Sequence, residues 1–268
     1  MPLKIYALSG RKCIFQLCLL LLSLCCGNTL KAQYNPLSIS GVNVDNSKIY
    51  QLGTEWIFDY QFIPAQDKPA EKNAINANDL NEIKNVVITV VKTSEHLKTM
   101  LGDNPPVLSF EHKCPPQILT HESAIIENDE EVWVHPPRDF FFKILQINPY
   151  PYIKKPFKKG LKWTWELKIG GRWGDKRWKE WTGNITNIAS YEIVGDTLLP
   201  TKAGKIKCYI VQSSAKSEIG TTYLTSYFNP IFGFVKLDYT NIDGSKIILD
   251  FIEWKSKNTL YTINQLNN

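Results

Sequence analysis

Tryptophan and basic side chains are concentrated in residues 161–181, LKWTWELKIGGRWGDKRWKEW, which hold five of the eight tryptophans of the chain. Planar indole rings can stack on sugars or line a pocket for an apolar ligand, while Lys and Arg at the rim can hold an acidic group. Residues 171–181 contain glycines and charges that make full burial difficult, so we predict a ligand site there. Its members are Trp173, Trp178, Trp181, Arg172, Lys176 and Arg177. Ordinary places in the core or on a solvated face are the alternatives.

Imidazole, thiolate and carboxylate groups, which are ligands of zinc, recur between residues 112 and 135. They belong to His112, Cys114, His121, Glu122 and His135. The sequence after His121 lacks the second histidine of a zinc-protease helix, and its segment has the pattern of a strand, whose alternate side chains face opposite sides. We therefore predict no metal site and no cofactor, and we interpret the histidines as ordinary surface residues.

Signatures of enzymes are missing from residues 33–268. This part of the sequence has no Gly-x-Ser-x-Gly elbow, no phosphate-binding glycine-rich loop and no Cys-x-x-Cys pair. Glu166, Asp175 and Glu180 lie near the tryptophans and would be candidates for the paired carboxylates of a glycoside hydrolase, with solvated charges as the alternative. We predict no catalytic residue, and a carbohydrate-active hydrolase is the rival function.

These side chains must be positioned by β-strands. In residues 161–169 large apolar side chains alternate with polar ones, and the same alternation runs through residues 54–62. Further strands are predicted at 86–91, 107–112, 117–126, 131–135, 176–188, 190–194, 205–213, 221–228, 234–240 and 246–254. Asp243-Gly244 predicts a hairpin between the last two, and a short helix is predicted at 94–100. The predicted fold is all-β and antiparallel: an open half-barrel or sandwich-like sheet with few short helices.

A short pattern occurs twice, as Gly53-x-x-Trp56-x-Phe58 and as Gly160-x-x-Trp163-x-Trp165. We predict a single β-rich domain over residues 33–268. Two similar halves, 33–150 and 151–268, are a further expectation from the repeated pattern.

Residues 1–32 have the order of a secretory signal peptide. Lys4, Arg11 and Lys12 precede an apolar run, and the small Ala32 stands before Gln33. The run of about 14 residues is shorter than the roughly 20 that span a bilayer as a helix. A retained membrane anchor and lipoprotein processing at Cys25 are the alternatives. We predict an exported protein (periplasmic, outer-membrane-associated or extracellular) whose mature chain has no transmembrane helix.

Removal of residues 1–32 changes the charge and the cysteine count. The whole sequence has 31 basic and 26 acidic residues, but the leader contains four of the basic residues and no acid, which leaves 27 against 26. We therefore predict no nucleic-acid partner, since net charge would not drive such binding. Cys114 and Cys208 remain, and we predict either one disulfide between them or two buried thiols.

Residues 191–210 contain a turn-and-strand pattern with Gly195, Pro200, Gly204 and Cys208 at its recurring positions, followed by Tyr227-Phe228 and Gly233-Phe234-Val235-Lys236. This pattern resembles that of exported bacterial β-rich domains of uncharacterised function with a VG…TPAG-type turn, and such domains are similar to the half-barrel sheets of periplasmic lipoprotein carriers. The resemblance covers residues 160–254. It implies an open sheet with turns at Gly195 and Gly204, and it implies no catalytic residue.

The predicted function is binding by an exported, non-enzymatic protein. A hydrophobic or amphipathic small molecule, a glycan or an envelope protein would lie on a Trp-lined concave face, with Lys or Arg at the rim selecting an anionic head. Replacing Trp173 or Trp178 with Ala is then expected to weaken binding while thermal stability stays nearly unchanged. A structural envelope component without a small ligand is the third alternative.

Overall fold

Antiparallel β-strands make up most of the part of the chain that the structure describes. The computed structural model describes residues 49–65, 85–94, 98, 106–114 and 117–255. The strands in this part are β1 (Glu55–Ile63), β2 (Asn85–Lys92), β3 (Pro106–Cys114), β4 (Gln117–Glu127), β5 (Glu131–Val134), β6 (Tyr152–Lys154), β7 (Lys162–Gly170), β8 (Asn184–Thr201), β9 (Gly204–Ser217), β10 (Gly220–Asn229), β11 (Gly233–Thr240) and β12 (Lys246–Lys255). Two 3₁₀-helices, Phe140–Ile147 and Gly171–Trp173, are described between them.

All twelve strands belong to one sheet with the order β6-β5-β4-β3-β2-β1-β12-β11-β10-β9-β8-β7. The chain therefore makes two six-stranded meanders, β1–β6 and β7–β12, which join where β1 pairs with β12. β6 and β7 are the two edges of the sheet. The predicted all-β antiparallel fold with an open sheet is confirmed.

The strands form because apolar and polar residues alternate along them. In β1, Trp56, Phe58 and Tyr60 are buried, whereas Asp59 and Gln61 face the other side and contact solvent. The same alternation continues through the later strands, so one face of the sheet is a continuous apolar surface.

Gly53 and Gly160, which open the repeated Gly-x-x-Trp pattern, hold equivalent positions. Their φ angles are +80° and +87°, and each glycine precedes the first strand of a meander. Glycine adopts this left-handed backbone at little cost. The pattern thus marks the entry to each meander, while the division into two similar halves stays a prediction.

The 3₁₀-helix Phe140–Ile147, here called the plug helix, fills the interior of the curled sheet. Six of its eight residues are buried. The Phe141 ring packs edge-on against Phe62 of β1, with centroids 4.7 Å apart, and the Phe142 ring packs against His112 of β3 at 5.0 Å. The N-terminal end of the plug helix is therefore fixed to the first meander.

The C-terminal end of the plug helix is fixed to the second meander by hydrogen bonds. The Ile147 carbonyl accepts from Asn187 Nδ2 of β8 at 3.2 Å and from Thr222 Oγ1 of β10 at 2.8 Å. Asn148 Nδ2 donates to the Thr240 carbonyl of β11 at 3.1 Å. A segment anchored to strands of both meanders occupies the concave side of the sheet.

Aromatic side chains, and no backbone ladder, join the two edge regions of the described sheet. The Tyr152 ring of β6 lies 5.5 Å from the Trp163 ring of β7, and Trp133 of β5 lies 5.8 Å from Trp165 of β7. Tyr150 also contacts Trp165, with centroids 5.2 Å apart. Trp163 and Trp165 thus pack against the core, as the alternation of β7 predicts.

Three local predictions require correction. Residues 176–183 do not form a strand but a loop, and β8 begins at Asn184 and runs for 18 residues through the predicted separate strand 190–194. Gly195 lies inside β8 at a β-bulge, where the register with β9 shifts between Ile193 and Gly195, so the turn predicted there is absent. The turn before Gly204 and the hairpin at Asp243-Gly244 are confirmed.

The predicted disulfide is not formed. Cys208 is a buried free thiol on β9, and its Sγ donates to the Ile206 carbonyl at 3.4 Å. β3, which ends at Cys114, is separated from β9 by five strands of the sheet. The buried-thiol alternative is observed at Cys208, where burial raises the pKa to about 12. The leader 1–32, the start at Gln33, the Cys25 alternative and most of the predicted helix 94–100 lie outside the described residues.

Candidate functional site

Residues 171–183, here called the cap loop, connect β7 to β8 and contain all six predicted site residues. The Gly171 N–H donates to the Gly183 carbonyl at 2.6 Å and closes the base of the loop. A Cβ atom on Gly171 would lie 2.5 Å from the Trp181 carbonyl oxygen, so this close approach requires glycine. Asp175 Oδ1 accepts from the Arg177 N–H at 3.0 Å, which forms a turn where a strand was predicted.

The three tryptophans of the cap loop face the core. Trp178 is 5% exposed, and its ring meets Phe141 of the plug helix edge to face at 6.4 Å. Trp181 Nε1 donates to the Ile169 carbonyl at 3.3 Å, and Trp173 is partly buried against the core. The loop therefore covers the end of the plug helix and contributes to the core.

The three basic residues of the predicted site lie on the outer side of the cap loop. The Arg177 guanidinium lies 4.7 Å from the Trp178 ring and makes two hydrogen bonds to Asp175, of 2.7 and 2.8 Å. This contact holds the pKa of the Asp175 carboxyl below its usual range. Arg172 and Lys176 are exposed. The structure brings the six residues together in one loop, with the indoles inward and the cations outward.

The acids considered for hydrolysis do not share one environment. Glu166 is exposed on the outer face of β7, and Glu180 is exposed in the cap loop. Asp175 is engaged by Arg177, as described above. Asp175 therefore differs from the other two in being held by an arginine.

A small void of about 20 Å³ lies in the apolar interior among the side chains around Trp56, Phe58, Phe110 and Leu249. Pockets for drug-sized ligands measure about 300–1,000 Å³. This void is too small for a lipid or a sugar, because Trp56, Phe58, Phe110 and the apolar side chains beside them close around it.

The histidines are inside the protein, contrary to the surface positions expected from the sequence. His112 and His135 are 1% and 0% exposed, and His121 is partly buried with its Nδ1 2.7 Å from Asp139 Oδ2. Among the described residues, no group of three or more histidine, cysteine or acidic residues is arranged to hold a metal. This part of the chain thus provides no such metal-ligand cluster.

A serine–histidine contact lies in the same region. Ser123 Oγ is 3.1 Å from His135 Nδ1, but that nitrogen also lies 2.7 Å from the Pro136 carbonyl oxygen. Such a pair could resemble a nucleophile and its base. Both side chains are nevertheless buried, at 1% and 0% exposure, which denies a substrate access to them.

Burial also sets the protonation of these histidines. It lowers the pKa of His135 to about 3 and that of His112 to about 4, with smaller contributions from neighbouring charged groups. Both rings are therefore neutral near neutral pH and are part of the core.

A groove of about 840 Å³ lies on the outer face of the strands β7 to β10. The outward side chains that line it are small and polar, apart from one tyrosine and one pair of opposite charges: Lys162, Thr164, Ser190, Glu192, Gln212, Ser214, Tyr223 and Thr225. This set is here called the outer groove. The groove is an open recess on the surface of the sheet and not an enclosed cavity.

Cross-strand pairing arranges the outer groove in two rows. In one row Thr164 lies opposite Ser190, Ser190 opposite Ser214, and Ser214 opposite Tyr223. The parallel row contains Lys162, Glu192, Gln212 and Thr225. With strands spaced by about 4.8 Å, each row extends about 14 Å across the sheet.

Contacts on the inner face of the sheet support the strands that form the floor of the outer groove. The inward rings of Trp163 and Tyr191 stack at 5.3 Å with an interplanar angle of 1°. The Tyr223 carbonyl accepts a hydrogen bond of 3.4 Å from Asn148, which follows the plug helix. The Tyr223 side chain is 52% exposed on this anchored strand.

The sequence prediction missed the outer groove. Strand alternation correctly indicates that Ser190 and Tyr223 face away from the core. Their assembly into one recess depends on the register and curvature of four strands, which residue type does not reveal.

No protein-family model matches the chain, and no curated protein matches it. A candidate exported protein with a YmcC-like fold from Bacteroides fragilis has 12% identity and a TM-score of 0.45, over 78% of this chain and 99% of its own. A candidate lipoprotein from Parabacteroides distasonis has 11% identity and a TM-score of 0.42, over 77% and 97%. The hypothetical lipoprotein YmcC from Escherichia coli has 9% identity and a TM-score of 0.38, over 78% and 91%.

These three structures are of bacterial proteins described as exported or as lipoproteins. The finer likeness to lipoprotein carriers stays a prediction. In the described part of the chain, no helix has the length and apolar character needed to cross a membrane.

Proposed function

We propose that this chain is an exported, non-enzymatic binding protein that holds a polar ligand in the outer groove. The observation that carries the proposal is the groove itself, with a volume of about 840 Å³ and a lining of outward hydroxyl and amide groups on four adjacent strands. Donors and acceptors on a supported surface can bind a ligand without first being ordered, which lowers the entropic cost of binding.

Export is supported by the order of residues 1–32. Basic residues, an apolar run and a small residue before Gln33 are the parts of a secretory signal peptide. We expect the protein purified from its own host to have the mass of a chain that begins at Gln33, and intact-mass spectrometry measures this directly. A diacylglycerol on Cys25 would instead identify a lipoprotein.

A polar ligand agrees better with the described residues than an apolar one. The concave side is occupied by the plug helix, and the void there measures about 20 Å³. The groove has one carboxylate, Glu192, whose Oε2 lies 3.2 Å from Lys162 Nζ. A glycoside hydrolase ordinarily needs two carboxylates, so binding is favoured over hydrolysis.

The cap loop is the second candidate for the ligand site. Arg172 and Lys176 are exposed there, and the Arg172 guanidinium lies 5.5 Å from the half-buried Trp173 ring. An anionic group on the outer side of the cap loop would be attracted by these exposed cations. Replacing Trp173 with Ala tests this alternative in the experiment that follows.

Native mass spectrometry of protein purified from the envelope of its host tests the proposal. Ser190→Trp fills the outer groove from an exposed position, and Leu198→Trp adds the same ring on the same strand at an exposed position outside the groove. A bound mass in the wild type and in Leu198→Trp that is lost in Ser190→Trp supports the proposal. A bound mass that Ser190→Trp retains contradicts it, and loss in Trp173→Ala alone would favour the cap loop.

A further inference from the structure

We propose that the ligand of the outer groove is an uncharged carbohydrate chain that crosses strands β7 to β10 with one sugar ring on Tyr223. This inference rests on the proposed function and names the chemical class of the ligand. It follows from three properties of the groove, which are its hydrogen-bonding groups, its exposed aromatic ring and its balanced charge.

The hydrogen-bonding groups match those of sugars. Thr164, Ser190, Ser214 and Thr225 each present a hydroxyl group, and Gln212 presents an amide. A hydroxyl group donates one hydrogen bond and accepts others, and an amide also does both. Sugar hydroxyls also donate and accept hydrogen bonds, so in each contact either the protein or the sugar can be the donor.

Tyr223 supplies a flat apolar surface at one end of the hydroxyl row. It lies opposite Ser214 and is 52% exposed. The face of an aromatic ring carries partial negative charge, which attracts the polarised C–H groups on one face of a sugar ring. The hydrogen bond from Asn148 to the Tyr223 carbonyl holds this part of β10 in place.

The charge of the lining is balanced. Lys162 and Glu192 are the charged members of the groove, and their charged groups are 3.2 Å apart. An anionic or cationic ligand would have to separate this pair or bind beside a like charge. The lining therefore matches a neutral ligand, and its extent of about 14 Å suits several linked sugars more than one.

The test is isothermal titration of the purified mature protein with neutral hexasaccharides of glucose, mannose, xylose and N-acetylglucosamine. A hexasaccharide of galacturonic acid serves as the charged comparison. We expect saturable binding of at least one neutral hexasaccharide and at least about tenfold weaker binding of the charged one.

Variants then locate the bound sugar. Tyr223→Ala is expected to raise the Kd about tenfold, while Tyr223→Phe, which keeps the ring, changes it about twofold or less. Ser214→Ala is expected to raise the Kd about threefold because one hydrogen bond is lost. Leu198→Ala is the matched control, since Leu198 is 57% exposed on β8 outside the groove, and it should leave the Kd unchanged.

Two results would overturn the inference: no binding of any neutral hexasaccharide, or binding that Tyr223→Ala leaves unaltered. The envelope experiment separates this failure from that of the proposed function. If no neutral sugar binds but Ser190→Trp still removes a bound mass, the ligand class is wrong and the groove remains the site. If Ser190→Trp retains the mass as well, both proposals fail.

Discussion

The cap loop and the outer groove belong to the same pair of strands, β7 and β8, but they use their side chains in opposite ways. The cap loop contains tryptophans and arginines, and most of these are engaged with the core or with one another. The outer groove contains mostly serine, threonine and glutamine, and these face solvent on a fixed floor. A tryptophan or an arginine thus indicates a binding site only when its side chain is not already engaged in packing or in ion pairs within the fold.

The largest expected effect is the loss of stability when the packing of the cap loop against the core is removed. Trp178→Ala should lower the free energy of unfolding by about 3–5 kcal/mol, because a buried indole against Phe141 is replaced by a cavity. Chemical denaturation measures the loss. This differs from the nearly unchanged stability expected from sequence alone. A loss below about 1 kcal/mol would show that the loop is not part of the core.

The next effect concerns the buried histidines, whose protonation makes the stability depend on pH. The pKa values of His112 and His135 are lowered to about 4 and 3, against 6.5 in an unfolded chain. Below pH 6.5 the unfolded state binds protons that the folded state does not, so stability is complete above 6.5 and falls with decreasing pH. One pH unit below 6.5 the two histidines together should cost about 3 kcal/mol.

Denaturation curves at a series of pH values measure this dependence, with His112→Phe as the comparison. Neither ring nitrogen of His112 has a hydrogen-bond partner among the described residues, so the apolar ring suits the site. The variant should lose about half of the acid sensitivity. An unchanged slope would mean that His112 does not contribute.

A smaller effect distinguishes the outer side of the cap loop from its inner side. Asp175→Asn should lower the free energy of unfolding by about 1 kcal/mol or less, because the pair with Arg177 is bidentate but partly solvated. The loss should shrink at high salt. A loss as large as that of Trp178→Ala would mean that the ion pair between Asp175 and Arg177 stabilises the loop as much as the buried indole does.

The smallest expected effect is that of Ser214→Ala, which is compared with Ser213→Ala, since these adjacent serines of β9 face opposite sides of the sheet. Ser213 is buried and donates to the Leu224 carbonyl at 2.8 Å, so Ser213→Ala should cost about 1 kcal/mol of stability. Ser214 faces the groove, and Ser214→Ala should change stability by less than about 0.5 kcal/mol. Thermal unfolding of the pair checks this, and equal losses would argue against an outward role for Ser214.

Much of the fold could be predicted from the sequence, because alternation is a local property. The burial of Trp56, Phe58 and Trp163 follows directly from alternation, and the hairpin at Asp243-Gly244 follows from its turn residues. The cap loop could not be predicted, since Trp178 and Trp181 look like strand residues unless the Asp175 turn is known. Whether these tryptophans are buried depends on tertiary packing, which the local sequence pattern does not reveal.

The candidate site was still harder to predict. Cross-strand register brings Ser190 and Ser214 together, although 24 positions separate them in the sequence. His135 is buried against the rings of Trp133 and Tyr150, and nothing in its own neighbourhood of prolines indicates burial. Pairing and packing between distant segments decide both cases.

The pairing of β1 with β12 also determines when the full sheet can form, because the two meanders of the described sheet pair with each other through these two strands. Among the described strands, β1 lies in the middle of the sheet, and one of its sides pairs with β12, 200 residues later in the pair Glu55–Lys255. Contacts of such long sequence separation form slowly. During synthesis the first meander leaves one side of β1 unpaired until β12 has been made, and such a strand edge is a template for association with other chains.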